Sequence, residues 1–322
     1  MAKRELPVEP VGLIGLGLMG RGIATCLLGH GLEVVAYNRT ASRARASLDH
    51  IGASLDELVR RKMATRAVVK KWRSRFHLVD SLAGLAPSPF VVESVKEDLP
   101  LKHAIFDELE AAVSKHAVIA SNTSSLPISS LQKGRKHPER FIGMHWGEPA
   151  QIMRYLEVIP GEATSRRTLQ LTLRLGDLCG KEPTPLKRDI RGFISNRLMY
   201  AMLREACYLV ESGIADIETV DRSFRNDIGY WATLAGPFRW MDLTGIPAYA
   251  VVAEGLYPKL SNTRKVSKVM LDMVAAGGQG ITNAKGFYRY TKASAKRWEK
   301  AWVDFTYDIR KLADKYDQRS IG

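Results

Sequence analysis

The chain has 322 residues, 45% of them hydrophobic and 25% charged, with 48 Lys and Arg against 34 Asp and Glu for a net charge of +14. That length suits two domains of roughly 150 residues, each able to bury a core, and the composition is that of a globular protein rather than a disordered or fibrous one. No apolar run reaches the ~18–20 residues of a membrane helix, the charged first ten residues hold no signal-peptide core, and the basic residues lack the aromatic interleaving that stacks bases, so the expectation is a soluble cytoplasmic protein with no nucleic-acid and no membrane partner.

Along the first half, short β-rich runs alternate with helical stretches, the pattern of a parallel sheet covered by helices. The predicted strands are VGLIG (11–15), EVVAY (33–37), FVVES (90–94), AVIAS (117–121), FIGMH (141–145) and YLEVIP (155–160). Helices are predicted in RGIATCLLGHG, LPLKHAIFDELEAAV and SRRTLQLTLRLGDLCG, each ending near a glycine or a polar break. Between the second and third of these strands, residues 60–75 (RRKMATRAVVKKWRSR) hold eight basic residues and no acidic one, which reads as a solvated helical hairpin or as a cradle for phosphates.

A Pro- and charge-rich connection, EPTPLKRDIRGFI, then marks a change of pattern. From Phe193 onward apolar residues recur at helical spacing (Ile194, Leu198, Met202, Leu209), with glycine stops at Gly213 and Gly245 and caps at Asp216 and Asn262, and no strand is predicted. The domains are therefore expected at 1–190 and 191–322. Cys26, Cys179 and Cys207 are odd in number and far apart, which points to buried, inert thiols rather than a disulfide framework or a metal site. Trp231, Trp240, Trp298 and Trp302 are expected in a core or an interface between copies.

The first chemical signal is GLIGLGLMGRGIA, which sets Gly15, Gly17 and Gly20 in G-x-G-x-x-G spacing after a predicted strand and at the start of a predicted helix. Gly15 permits the tight turn, Gly17 lets backbone approach a pyrophosphate, and Gly20 allows the helix to pack close on the sheet. Leu16, Leu18 and Met19 complete the loop, and the helix N-terminus supplies amide donors. Where an acidic residue at the end of the second strand would accept the ribose hydroxyls of NAD, this chain has Asn38, Arg39 and Thr40. An arginine with a hydroxyl beside it faces a 2′-phosphate instead, so the expected cofactor is NADP(H) over NAD(H), with no metal.

Several separated blocks, GLGLMGRGIA, VVESVKEDLPLK, ASNTSSLPIS, GMHWGEP, RGFISNRLM, LAGPF and KGFYRY, resemble the 3-hydroxyacyl-CoA dehydrogenase family in order along nearly the whole chain. The resemblance implies a Rossmann-type, doubly wound, mainly parallel sheet followed by an all-α domain that binds substrate and forms a homodimer. It places His145 on the catalytic histidine, Glu157 on its glutamate partner, Ser124 on the serine that contacts the substrate oxygen and Asn196 on the asparagine of GFIxNR. Glu97 and Lys102 fall on contacts to the nicotinamide side of the cofactor. Ser54 and Arg61 fall on CoA contacts, which tips residues 60–75 toward the phosphate cradle.

Two departures bear on substrate. The family's aromatic-Asn-Pro is here Gly147, Glu148 and Pro149, so a carboxylate replaces the amide that places carbonyl and cofactor. The lysine expected shortly before GxGFY is missing, with Thr282 and Asn283 in its place. On the residues alone, a histidine closing an apolar strand reads as a structural one. The resemblance makes His145 the general base and Glu157 the group that fixes its tautomer, with Ser124 and Asn196 bonding the developing carbonyl oxygen. The remaining histidines read as surface or packing residues. The expected activity is reversible, NAD(P)-dependent oxidation of a 3-hydroxyacyl thioester to the 3-keto compound. The alternatives are a dehydrogenase of a free hydroxy acid of the sugar-acid or carnitine type, and a dinucleotide-binding structural protein without turnover.

Overall fold

A computed structural model describes residues 8–317, so most of the stretch read for a signal core lies outside the described residues. The chain forms two compact units, the first ending at Asn196 and the second beginning at Arg197. The first unit is built on eight strands: β1 (Val11–Ile14), β2 (Val34–Tyr37), β3 (Phe76–Val79), β4 (Phe90–Glu93), β5 (Val118–Ser121), β6 (Phe141–Trp146), β7 (Tyr155–Pro160) and β8 (Glu182–Pro185). They lie in the order β3-β2-β1-β4-β5-β6-β7-β8, all neighbours parallel except the antiparallel pair β6 and β7. The central strands β1, β4 and β5 are buried at every position, as strands covered on both faces must be.

The helices of this unit are α1 (Leu18–Gly29), α2 (Ala41–Arg60), α3 (Arg66–Val69), α4 (Leu99–Ala112), α5 (Ile128–Gln132) and α6 (Arg166–Leu178). Winding runs outward from β1 to β2 and β3, then returns to β4 on the other side of β1. That reversal opens a crevice at the carboxyl ends of β1 and β4, where doubly wound sheets bind their ligands. The core beneath it gathers Ile14, Val91, Phe106, Leu109, Ile119 and Phe141.

Two strands depart from the sequence reading. β3, FHLV, is an edge strand with only its first residue buried, so it lacks the apolar run that marks the others. β8, EPTP, was expected as a connection; its prolines are tolerated because it pairs with β7 alone, along one side.

The second unit continues from α7 (Ser195–Glu211) through α8 (Ile217–Asn226), α9 (Ile228–Trp231), α10 (Pro237–Thr244), α11 (Ile246–Leu256) and α12 (Lys268–Ala275) to α13 (Lys292–Lys315). Gly213, at φ +67°, takes the chain out of α7, and Gly245, at φ +105°, lies between α10 and α11. Asp216 caps α8 by accepting from the Thr219 amide at 2.7 Å. Asn262 caps nothing: α12 starts only at Lys268, with Ser267 before it. Trp231 and Trp240 stack with ring centroids 5.1 Å apart, whereas Trp298 and Trp302 are exposed and so are not core residues of the single chain. Cys26 and Cys179 are buried as expected, but Cys207 is only partly so and lines an apolar cavity with Leu203 and Met273. All three thiols are free. Among the described residues no helix is long and apolar enough to cross a membrane.

Candidate active site

The turn between β1 and α1 explains its glycines. Gly15 has φ +91°, and a Cβ there would come 2.5 Å from the Ser94 carbonyl oxygen. A Cβ on Gly20 would strike the carbonyl of Gly15. At Gly17 a Cβ would meet nothing, so the space above that backbone is open, and no side chain caps the helix end that follows. A bare helix N-terminus beneath a side-chain-free surface fits a pyrophosphate. The loop is held from below: the Leu16 amide donates to Asn38 Oδ1 at 3.0 Å, and Ser47 Oγ donates to the Leu16 carbonyl at 2.9 Å. Leu18 is exposed beside it.

Next to this turn lies a cavity of about 410 Å³ whose lining includes Gly15, Gly17, Asn38, Arg39, Thr40 and Arg43. Asn38 is thus both a wall of the cavity and a brace for the loop, its amide donating to the Thr40 carbonyl at 2.8 Å. Arg43 was not singled out from the sequence. Its position four residues after Arg39, in the first turn of α2, is the signal that would have found it.

Across the sheet, the antiparallel register sets His145 directly opposite Glu157. His145 Nδ1 lies 3.0 Å from Glu157 Oε2, and both side chains are buried. The other carboxylate oxygen, Oε1, accepts from the backbone amides of Ile194 and Ser195 at 3.0 and 2.9 Å, where α7 begins. Tyr155, which sequence reasoning missed, donates its hydroxyl to Glu157 Oε2 at 2.6 Å and sits 2.8 Å from His145 Nδ1. Its signal is strand alternation, since residues two apart on β7 share a face. Burial pushes the Glu157 carboxyl up, but the bonds from His145, Tyr155, Ser195 and Ile194 outweigh it and hold the group below its ordinary value. Glu157 is therefore favoured as an anion against Nδ1 of the imidazole.

Asn196 donates to the Ser124 carbonyl at 2.7 Å, so α7 links Glu157 to the exposed Ser124. Glu97 gathers the same loop, accepting from Thr123 Oγ1 at 2.5 Å and from the amides of Ser124 and Ser125 at 2.9 and 3.0 Å. Burial works against its charge, yet these bonds and Lys102 hold its carboxyl below the ordinary value. Lys102 requires a correction. It is fully buried, with its ammonium 2.7 Å from Glu93 and 3.5 Å from Glu97, so its charge is met by these two carboxylates rather than presented at the surface. Glu148 is exposed on the turn after β6; partial desolvation pushes its carboxyl up, with Arg21 in the first turn of α1 opposing.

Ser54 and Arg61 were expected at CoA contacts. Ser54 lies in the second half of α2 and Arg61 directly follows its last residue, and the helix's 20 residues span ~30 Å. Within residues 60–75, Arg60 and Arg61 pair with Glu57, Arg73 lies 4.5 Å over the Trp72 ring, and Arg75 donates to the carbonyls of Val68 and Leu28. Half of the predicted cradle is thus engaged in the fold. Among the described residues no group of three or more His, Cys, Asp or Glu side chains could hold a metal ion.

A dinucleotide crevice at the switch point of a doubly wound sheet, flanked by a histidine whose partner carboxylate is fixed, defines a nicotinamide-dependent dehydrogenase acting on a hydroxyl group. The chain belongs to the 3-hydroxyacyl-CoA dehydrogenase family: residues 10–190 match its NAD binding domain and residues 192–290 its C-terminal domain. It is 34% identical to a 5-formyl-3-hydroxy-2-methylpyridine 4-carboxylate 5-dehydrogenase of Mesorhizobium japonicum, over 90% of this chain and 93% of that one. It is 31% identical to a 3-hydroxybutyryl-CoA dehydrogenase of Bradyrhizobium diazoefficiens, over 89% of this chain and 97% of that one. Among solved structures, a 5-formyl-3-hydroxy-2-methylpyridine 4-carboxylic acid 5-dehydrogenase described as an NAD+ dependent dismutase superposes with a TM-score of 0.88 at 30% identity, over 94% of this chain and 98% of that one. The (S)-3-hydroxybutyryl-CoA dehydrogenase of Ralstonia eutropha gives 0.75 at 30% identity, over 88% and 99%.

Proposed function

We propose that the protein oxidises the hydroxyl carbon of a small free hydroxy acid to a carbonyl, reversibly, with NADP(H) preferred to NAD(H). The observation that carries the free-acid reading is the engagement of Arg61, the residue offered to CoA by resemblance, with Glu57 at 2.7 Å. A relative named for a pyridine carboxylate substrate supports the same reading. The second reading, a 3-hydroxyacyl thioester, is favoured by the four exposed cations Lys62, Arg66, Lys70 and Lys71, which remain available to phosphates.

His145 takes the hydroxyl proton at Nε2 while Glu157 holds Nδ1 and stabilises the imidazolium that forms. The exposed Ser124 and the amide hydrogen that Asn196 does not give to Ser124 bond the oxygen as it becomes a carbonyl. The nicotinamide cofactor, when bound, accepts the hydride. For its 2′-phosphate, Arg39 and Arg43 offer two exposed guanidinium groups on one cavity wall, and no carboxylate ends β2.

A turnover screen of free hydroxy acids against short 3-hydroxyacyl-CoA thioesters, run with both cofactors, tests both halves. Free acids are expected to turn over well, and Arg39→Ala is expected to weaken NADP(H) by ~1–3 kcal/mol while sparing NAD(H). Turnover confined to CoA thioesters would establish the second reading, and an equal loss for both cofactors would overturn the assignment of Arg39 to the 2′-phosphate.

We infer further that the protein is a homodimer through its helical unit. Helices α7 to α12 contain no buried residue, and beyond Arg197 the buried residues among those described are Ala235, Ala295, Thr306 and Tyr307. Phe238, Val251, Tyr257 and Trp298 are each more than 60% exposed. Isolated apolar side chains on a surface are ordinary; a helical unit with almost no core of its own is not, and a symmetric second copy is the commonest way to cover one. Sedimentation equilibrium at micromolar concentration is expected to give twice the chain mass, and a monomer that keeps its helices would refute the inference.

A further inference from the structure

The ring of Tyr155 occupies its place because residue 147 has no side chain: a Cβ on Gly147 would lie 2.9 Å from Tyr155 Cδ1 and 3.2 Å from Met153 Sδ. So placed, the phenol stands edge-on to the imidazole, with centroids 5.5 Å apart at 86°, while Phe193 closes another side at 5.6 Å. The Tyr155 hydroxyl hydrogen points to Glu157 Oε2, so toward His145 Nδ1 its oxygen acts as an acceptor, and the Ser195 side chain bonds the same hydroxyl. Together with the two amides at the start of α7, this gives the Glu157 carboxylate four donors: His145, Tyr155, Ile194 and Ser195. Four is the number a carboxylate can seat, so none of its lone pairs is left over.

We propose that Tyr155 is a positioning residue that tunes the His145–Glu157 pair: its hydroxyl fixes the proton on Nδ1 and, by sharing Glu157 Oε2, limits how strongly that carboxylate favours the imidazolium. The inference rests on the reading of His145 as the base. The sign follows from the hydrogen bonds. Nδ1 carries a proton in both the neutral and the charged ring, so the bond it gives to the neutral phenol oxygen is present in both states and gains less on charging than the bond it gives to the carboxylate. The bond from the phenol to Glu157 instead competes with the imidazolium for the same oxygen, and it competes more as the ring becomes charged. Removing the hydroxyl therefore leaves Oε2 to the imidazole alone and favours the protonated ring. The titratable side chains in bonding reach of the imidazole are Glu157 and Tyr155, both from β7; the segment leading into α7 brings the Phe193 ring, two backbone amides to Glu157 and the Ser195 side chain to Tyr155. Burial, and after it Glu157, hold the phenol well above its ordinary value, so it stays protonated through the range in which the histidine titrates.

The test is an NMR titration of the full-length protein, with the His145 ring signals identified by their loss in His145→Ala. In Tyr155→Phe the titration midpoint of His145 is expected to rise by about 0.5–1 pH unit, the equivalent of one modest hydrogen bond. With 3-hydroxybutyrate and 3-hydroxybutyryl-CoA as probes, the acid limb of oxidation should rise by the same amount. A tyrosine with a packing role alone would lower the rate without moving either midpoint. An unmoved or lowered midpoint overturns the proposal. If the phenylalanine variant does not fold, long-range ¹⁵N correlations in the wild type decide instead: the neutral ring should carry its proton on Nδ1, and a proton on Nε2 overturns the proposal. Failure of the base reading has a separate signature, since His145→Ala would then keep its turnover whatever the midpoint does.

Discussion

His145→Ala is expected to lower kcat by ~10²–10⁴ while cofactor binding persists, because the variant loses the proposed base and leaves the glycine loop of β1 and α1 intact. Glu157→Gln should cost somewhat less in rate and more in stability. A glutamine can accept from two donors with its oxygen, but its NH₂ then faces the other two, leaving buried donors unsatisfied at ~1–3 kcal/mol each. Because the folded carboxyl is held below its ordinary value, its contribution to stability is full above the unfolded carboxyl value and is lost as pH falls through the lower folded value. The stability gap between wild type and Glu157→Gln should therefore close in acid, which urea unfolding at several pH values measures. In rate the double variant should be little worse than His145→Ala alone, as expected of two residues proposed to act as one unit. Single losses that add fully would mean that Glu157 does other work in the reaction.

The parts of the structure that sequence makes legible are those whose cause is local. β1, β4 and β5 are apolar runs between polar breaks, and the glycine turn follows from backbone needs that only glycine meets, so both can be read without a partner in view. The pairing of His145 with Glu157 came from resemblance, and its physical cause is a register across β6 and β7 that residue types do not encode. What stayed hidden depends on distant partners. β8 is a strand only because β7 presents an edge to its prolines. Arg75 looks like one more surface cation until its guanidinium is found on the Leu28 carbonyl, 47 residues away. Tyr155 reaches His145 because a glycine stands at 147, a relation invisible in either residue alone.

Lys102→Met is expected to destabilise the protein by ~3–5 kcal/mol. The ammonium of Lys102 and the carboxylate of Glu93 are both fully buried, with Nζ 2.7 and 2.8 Å from the two carboxylate oxygens. Glu93 is further held by Ser121 Oγ at 2.6 Å and the Val95 amide at 2.6 Å, so its remaining bonds are to neutral donors. Methionine keeps most of the volume of the lysine stem, and the loss is therefore electrostatic: a carboxylate stays buried without its counter-charge. Glu93→Gln combined with Lys102→Met removes both charges and should recover most of the lost stability, as a pair that couples directly must. The consequence extends to the cofactor crevice. Glu93 ends β4, the Ser94 amide next to it bonds the Ile14 carbonyl at 2.8 Å, and the Ser94 carbonyl packs on Gly15. The single variant, which also releases Glu97 from its cation, should thus raise KM for the cofactor. Urea unfolding of the three variants measures the energies, and a single-variant loss below about 1 kcal/mol would mean that water reaches Glu93 and that the pair is not the brace of the crevice.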